Sequence, residues 1–174
     1  MTISKSILIS KKYVTRGAKI SLGYIEVPNT SFLSELSTNS IDKIINDLNW
    51  ILSQPTGVIT WGVDRCMVDS DFEGSLCTDY DGIEVGDIPT NLMKDLMEEI
   101  KSFKHEYEDL TNLRSLITQA FSDIKLNPNN YKMLSNSEYY YSIVKNDIYI
   151  TLILTQEDLN LSSVQYVNQI SLDI

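Results

Sequence analysis

Histidine is almost missing from this chain: His105 stands alone. A Ser-His-Asp or Cys-His catalytic arrangement would have to be built on that one residue, and no nucleophile-elbow sequence accompanies it. His105 falls in Lys104-His105-Glu106, which reads as a charged helix face. The two cysteines, Cys66 and Cys77, are too few for a disulfide framework and form no C-x-x-C pair. With so few His and Cys residues, imidazole- and thiolate-based metal centres are excluded by number. Both cysteines sit among carboxylates, which disfavour the thiolate, so they read as free structural thiols. There is no Gly-Lys-Ser/Thr phosphate loop and no G-x-G-x-x-G. No stretch approaches the ~18 apolar residues of a membrane span. Residues Met1 to Val14 carry no apolar run of the secretory kind. Asn29-Thr30-Ser31 and Asn160-Leu161-Ser162 match the glycosylation triplet, but nothing points to export. The expected location is cytoplasmic, with no catalytic residues, no metal site, no cofactor and no membrane partner.

What the chain does have suits a globular domain. Its 174 residues, 43% hydrophobic and 22% charged, are enough to bury a core and too apolar for disorder. No repeat, linker or low-complexity stretch divides it, and residues 1–174 read as a single domain.

Its charge is uneven. Between Asp64 and Asp87 lie eight acids (Asp64, Asp69, Asp71, Glu73, Asp79, Asp81, Glu84 and Asp87) and one base, Arg65, which accounts for −7 of the formal −10. Such density points either to a cation site or to a surface that meets something basic. The first twenty residues are the reverse, with Lys5, Lys11, Lys12, Arg16 and Lys19 and no acid. These read as edge-strand lysines. A nucleic-acid partner is disfavoured by the pI of about 4.5.

The patterning is that of an α+β protein. Residues 6–27 read as a hairpin turning at Arg16-Gly17 and ended by Pro28. Ile41, Ile44, Ile45, Leu48, Ile51 and Leu52 recur at helical spacing, with Asn39 or Ser40 as cap and Pro55 as stop. Val58 to Val63 reads as a strand that Arg65 to Val68 extends. The glycine-punctuated acidic segment holds short strands at Ser75–Thr78 and Gly82–Val85. From Pro89, Leu92, Leu96, Ile100, Phe103, Tyr107 and Leu110 step by three or four, then the stripe changes phase near Thr111-Asn112, which predicts a kink or two helices. Asn127 to Asn130 is a loop. Tyr139–Val144 and Ile148–Thr155 flank a turn at Lys145-Asn146-Asp147. Residues 157–168 fit helix or strand equally, and Ile170, Leu172 and Ile174 hint at a last edge strand. The expected architecture is a mainly antiparallel sheet, with N-terminal and C-terminal hairpins, packed against two to four helices.

Two motifs bear on the acidic segment. Asp69-Ser-Asp71-Phe-Glu73-Gly74-Ser75-Leu76 matches the first eight positions of an EF-hand loop, but position twelve is Tyr80, and a phenol cannot replace the bidentate glutamate. Asp69-x-Asp71 after an apolar strand also resembles the carboxylate pair of metal-dependent glycosyltransferases and nucleotidyltransferases. The Gly-Ser dipeptide that nucleotidyltransferases need upstream is absent before Asp69. Ten tyrosines, with Tyr139, Tyr140 and Tyr141 consecutive, suit strand packing or an interface.

In size, acidity and layout, the chain resembles bacterial toxin-immunity proteins, including those of contact-dependent inhibition systems. That resemblance implies neutralisation of a cognate toxin, often a basic nuclease, by covering its active site. The expected partner-binding residues are Asp64, Asp69, Asp71, Glu73, Asp79, Tyr80, Asp81, Glu84 and Asp87, with carboxylates standing in for substrate phosphates. The alternatives are a metal-dependent transferase using Asp69 and Asp71, a secretion chaperone, and a nucleic-acid mimic. Such chaperones usually open with a helix, and a mimic would spread its acids more evenly.

Overall fold

Alternation of buried and exposed side chains sets up the strands, and three- and four-residue apolar steps set up the helices. The computed structural model describes residues 3–10, 18–24, 30–127, 132–133 and 138–170. In chain order the elements are β1 (Ile3–Ser10), β2 (Ala18–Tyr24), a 3-10 turn (Thr30–Glu35), α1 (Thr38–Leu52), β3 (Ile59–Val63), β4 (Cys66–Ser70), β5 (Gly74–Asp79) and β6 (Glu84–Pro89). They continue with α2 (Thr90–Glu108), α3 (Leu110–Leu126), β7 (Lys132–Met133), β8 (Glu138–Lys145), β9 (Ile148–Thr155), α4 (Gln156–Leu159) and α5 (Ser163–Gln169). The fold is α+β. The chain forms two compact units, one of residues 1–4 and 22–105 and one of residues 5–21 and 106–174.

In the first unit, β3-β4-β5-β6 is an antiparallel meander in sequence order. Cys66, Val68, Ser70, Ser75, Cys77 and Ile88 make its buried face. Ile41, Ile44, Leu48 and Ile51 of α1, and Met93, Leu96, Met97, Ile100 and Phe103 of α2, are buried as well. The cap of α1 is Ser37, which accepts from the Ser40 amide at 3.2 Å. It stands two or three residues ahead of the Asn39 and Ser40 that apolar spacing points to, because the first helical turn precedes the first apolar contact. Lys101 pairs with Asp42 at 2.6 Å, and Lys104 Nζ donates to the Leu36 carbonyl at 2.6 Å.

Val58 to Val68 is not one long strand. The chain reverses at Asp64-Arg65, and Val63 pairs with Cys66 across the turn. The reversal hides from a turn-residue search because its glycine lies in the strand. A Cβ on Gly62 would stand 2.3 Å from the Cys66 carbonyl oxygen, so only glycine permits this approach of the two strands.

In the second unit the sheet order is β2-β1-β9-β8-β7, with β1 parallel to β9 and β8 antiparallel to it. Ile7, Ile9, Ile148, Ile150, Leu152 and Leu154 are buried. Asn146 and Asp147 both take positive φ (51° and 62°), the geometry of a tight primed turn without its usual glycine. Phe121 of α3 stacks on Tyr166 of α5 with ring centroids 4.3 Å apart and planes 9° apart. Lys125 Nζ lies 5.2 Å above the Phe121 ring and donates to the Leu159 carbonyl.

The phase change near Thr111 is a true break. Asp109 caps α3 by accepting from the Thr111 amide at 2.8 Å. The ambiguous stretch 157–168 holds two short helices, α4 and α5, joined by a turn at residues 160–162, and Ile170 caps α5. The expected turn at Arg16-Gly17, the stop at Pro28, most of the loop 127–130 and the edge strand beyond Ile170 lie outside the described residues. No helix of the described residues is long and apolar enough to cross a membrane.

Candidate functional site

The acidic segment is the meander itself, and its strands sort the acids into different tasks. On β4, Cys66, Val68 and Ser70 are buried while Met67 and Asp69 are exposed, the period of two of a half-buried strand. Asp69 pairs with Thr60 on β3 and with Leu76 on β5, and Leu76 pairs with Asp87 on β6. One outward row therefore reads Thr60, Asp69, Leu76, Asp87. The next reads Gly62, Met67, Thr78, Glu84.

A bulge makes the second row acidic. Cys77 pairs with Gly86 and Thr78 with Glu84, so Val85 has no counterpart on β5. In a regular strand, residues three apart point to opposite faces. The extra residue brings Glu84 and Asp87 to the same one. Asp87 leans over Gly74, whose hypothetical Cβ would meet its Oδ1 at 2.9 Å. Asp69 accepts from the Thr60 hydroxyl at 2.6 Å. Met67 (46% exposed) and Leu76 (37% exposed) lie between these carboxylates.

The other acids build turns. Asp71 Oδ1 accepts the amides of Glu73 (2.7 Å) and Gly74 (2.9 Å), closing the β4–β5 loop. Asp79 Oδ1 accepts the amides of Asp81 and Ile83, both at 2.9 Å, closing the β5–β6 loop. Gly82 supplies the left-handed residue there, with φ 77°. Asp79 also stands opposite Cys66, on the side of the sheet away from Asp69. Asp64, Glu73, Tyr80 and Asp81 are exposed in turns, Tyr80 being 80% accessible. The nine expected residues thus do not form one patch. Asp69, Glu84 and Asp87 share the outward face of the sheet, Asp69 two strands from the other two, and the rest line the ends of the sheet.

These placements bear on the metal motifs. Asp69 lies within a strand, not a loop, so the EF-hand spacing does not produce EF-hand geometry. The Asp69 and Asp71 side chains accept from different donors, a hydroxyl for one and backbone amides for the other. Among the described residues, no three His, Cys, Asp or Glu side chains are grouped so as to hold an ion.

The two amides donated to Asp71 hold its carboxyl below the usual carboxylate range. A depressed folded value means that this turn's stabilisation is complete above the unfolded pKa of about 3.9 and disappears as pH falls through the folded value. The carboxyl-carbon NMR titration of Asp71 should show a midpoint below that unfolded value. Asp71→Asn should retain the turn, because its side-chain carbonyl can accept the same amides. A normal midpoint would show that the two amides do not bind the carboxylate in solution.

Inside the sheet, sequence reading missed a buried chain of hydroxyls. Trp61 Nε1 donates to Ser70 Oγ (3.3 Å), Ser70 and Ser75 hydroxyls meet at 2.8 Å, Ser75 meets Thr90 at 3.3 Å, and Thr90 donates to the Asp71 carbonyl at 2.8 Å. The last bond consumes the Thr90 proton, so Ser75 donates to Thr90. Ser70 must then donate to Ser75, and its oxygen receives Trp61. Every hydrogen in the chain has one direction, and β3, β4, β5 and the start of α2 are tied to the loop at Asp71. Small hydroxylated residues at inward strand positions (Ser70, Ser75) were the available sign.

Cys66 and Cys77 share this inner face, both buried. Burial, reinforced by the Asp79 carboxylate, pushes the Cys66 thiol up, and burial above all takes Cys77 up to about 12. At pH 8 the Cys77 thiolate is then about one part in ten thousand. Native protein should resist iodoacetamide for hours and react fully in denaturant, as read by mass. Rapid labelling of the native protein would overturn this assignment.

No protein-family model matches this sequence, and comparison with curated proteins and with solved structures returns no match.

Proposed function

We propose that this is an acidic binding protein that neutralises a basic protein partner, acting as an immunity protein against a cognate bacterial toxin such as a basic nuclease. The observation that carries the reading is the outer face of β3–β6, which Asp69, Glu84 and Asp87 share with exposed Met67 and Leu76. Carboxylates on a rigid sheet present a fixed negative field. Such a field accelerates encounter with a cationic partner and competes with the phosphates that a nuclease would bind. The apolar pair supplies the area that a charged surface alone lacks.

The test uses the product of the adjacent gene, or a basic protein that co-purifies with the chain from its source. Asp69→Lys, Glu84→Lys and Asp87→Lys combined should slow association by about ten- to a thousandfold at low salt, with the native rate falling as salt rises. These three positions suit reversal better than Asp71 or Asp79, whose carboxylates hold turns together. An association rate independent of both salt and these reversals would sink the proposal, as would an adjacent gene product with no toxic activity and no basic co-purifying protein.

A further inference from the structure

Resting on the binding reading above, we infer that the occupant of the β3–β6 outer face is an amphipathic helix of the partner, presenting an apolar side chain between two basic ones. The row Asp69, Leu76, Asp87 places one apolar residue between two carboxylates on three consecutive strands. Neighbouring strands are ~4.8 Å apart, so the row repeats at that interval and spans roughly 10 Å. A helix returns to one face every three or four residues, ~4.5–6 Å along its axis. Laid across the strands, a helix carrying Lys or Arg at i and i+7 and Leu at i+3 or i+4 therefore matches the row in both spacing and charge.

Glycine shapes the seat. Gly62 pairs with Met67 and lets β3 approach β4 closely, so no side chain of β3 covers Met67 at that position. Gly74 lies under the Asp87 carboxylate and leaves it free to lean. No base shares the two outward rows. The nearby Arg65 is engaged with Glu35 at 2.6 Å. Nucleic acid is a poor occupant, because its phosphates would face three carboxylates. A single cation is a poor one as well, because Asp69 and Asp87 stand two strands apart, whereas ion–oxygen distances are about 2.4 Å.

The test is an NMR titration of the ¹⁵N-labelled full chain with a synthetic alanine-based helical peptide carrying Lys at i and i+7 and Leu at i+3 and i+4. Two control peptides replace Leu by Ser or Lys by Glu. Shift changes are expected to centre on Met67, Asp69, Leu76, Thr78, Glu84 and Asp87, and both controls should bind at least about tenfold more weakly. Leu76→Ser in the protein should weaken the parent peptide by a similar factor, as should Asp69→Asn with Asp87→Asn. Leu76→Thr, a strand-forming exposed substitution, provides a second variant should the serine variant fail to fold.

Absence of shifts at millimolar peptide, shifts centred on other residues, or unchanged affinity in the Leu76 variants would overturn the inference. So would sedimentation showing that the free chain self-associates through these same residues, since the occupant would then be a second copy. The two proposals fail separately. A natural basic partner that tolerates the Leu76 and Asp69/Asp87 variants leaves the binding function standing and removes this footprint. Peptide binding here, without any basic partner in the source, does the opposite.

Discussion

Replacing Phe121 with alanine is expected to lower the free energy of unfolding by about 3–5 kcal/mol, the range for removing a fully buried phenylalanine. Phe121 is completely buried, stacks on the equally buried Tyr166, and lies beneath the Lys125 ammonium. Truncation removes the ring's transfer energy, leaves a cavity and strips Tyr166 of its stacking partner. Stacking of this kind contributes about 0.5–1.5 kcal/mol beyond buried area. Phe121→Leu should cost clearly less, because most of the volume is kept. Urea denaturation followed by far-UV circular dichroism reads both. A loss under about 1 kcal/mol for the alanine variant would mean that the α3–α5 contact is not packed as described.

The second large effect concerns the hydroxyl chain. Ser75→Ala should cost about 1–3 kcal/mol, because the Ser70 hydrogen is left buried without an acceptor. Thr90→Val keeps the shape but removes both the acceptor of Ser75 and the donor to Asp71, with a cost in the same range. Thr90→Ser should be mild. The decisive measurement is the combination Ser70→Ala, Ser75→Ala and Thr90→Val. Removing all three hydroxyls leaves fewer orphaned groups than any sum of single deletions, so its cost should fall well below that sum. Trp61 reports locally, since its indole donates into the chain and its fluorescence should shift in each variant. Strict additivity would contradict a one-directional chain.

Much of the frame was legible in sequence, for identifiable reasons. The apolar steps of α1 and α2 and the phase change near Thr111-Asn112 follow from helical spacing alone, and Asp109 caps the second helix there. The β8–β9 hairpin was visible because β-branched and aromatic residues flank a short polar turn. The stretch 157–168 was not resolved by apolar period, yet it held a readable sign. Thr155-x-x-Asp158 and Ser162-x-x-Gln165 are capping boxes, and both are formed. At Asp64-Arg65 the turn was missed because its enabling residue, Gly62, lies in the strand before it.

The acidic density was plain in sequence, but its division was not. Which carboxylates point outward depends on strand register, and register depends on partners far along the chain. Asp71 and Asp79 look identical to Asp69 in composition. Only the amides of Glu73, Gly74, Asp81 and Ile83 show that they close turns. The hydroxyl chain was hidden for a related reason. Ser70 and Ser75 are unremarkable singly, and only pairing across β4 and β5 makes them a unit.

The unmatched residue on β6 has one more consequence. Elsewhere in a strand, losing one residue turns every side chain beyond it to the other side. Two residues of β6 answer one of β5 at Thr78, so deletion of Val85 would leave Glu84, Asp87 and Ile88 facing as they do now. Here chain length is uncoupled from orientation, and a descendant of this sequence could shorten the strand by a codon and keep its acidic surface.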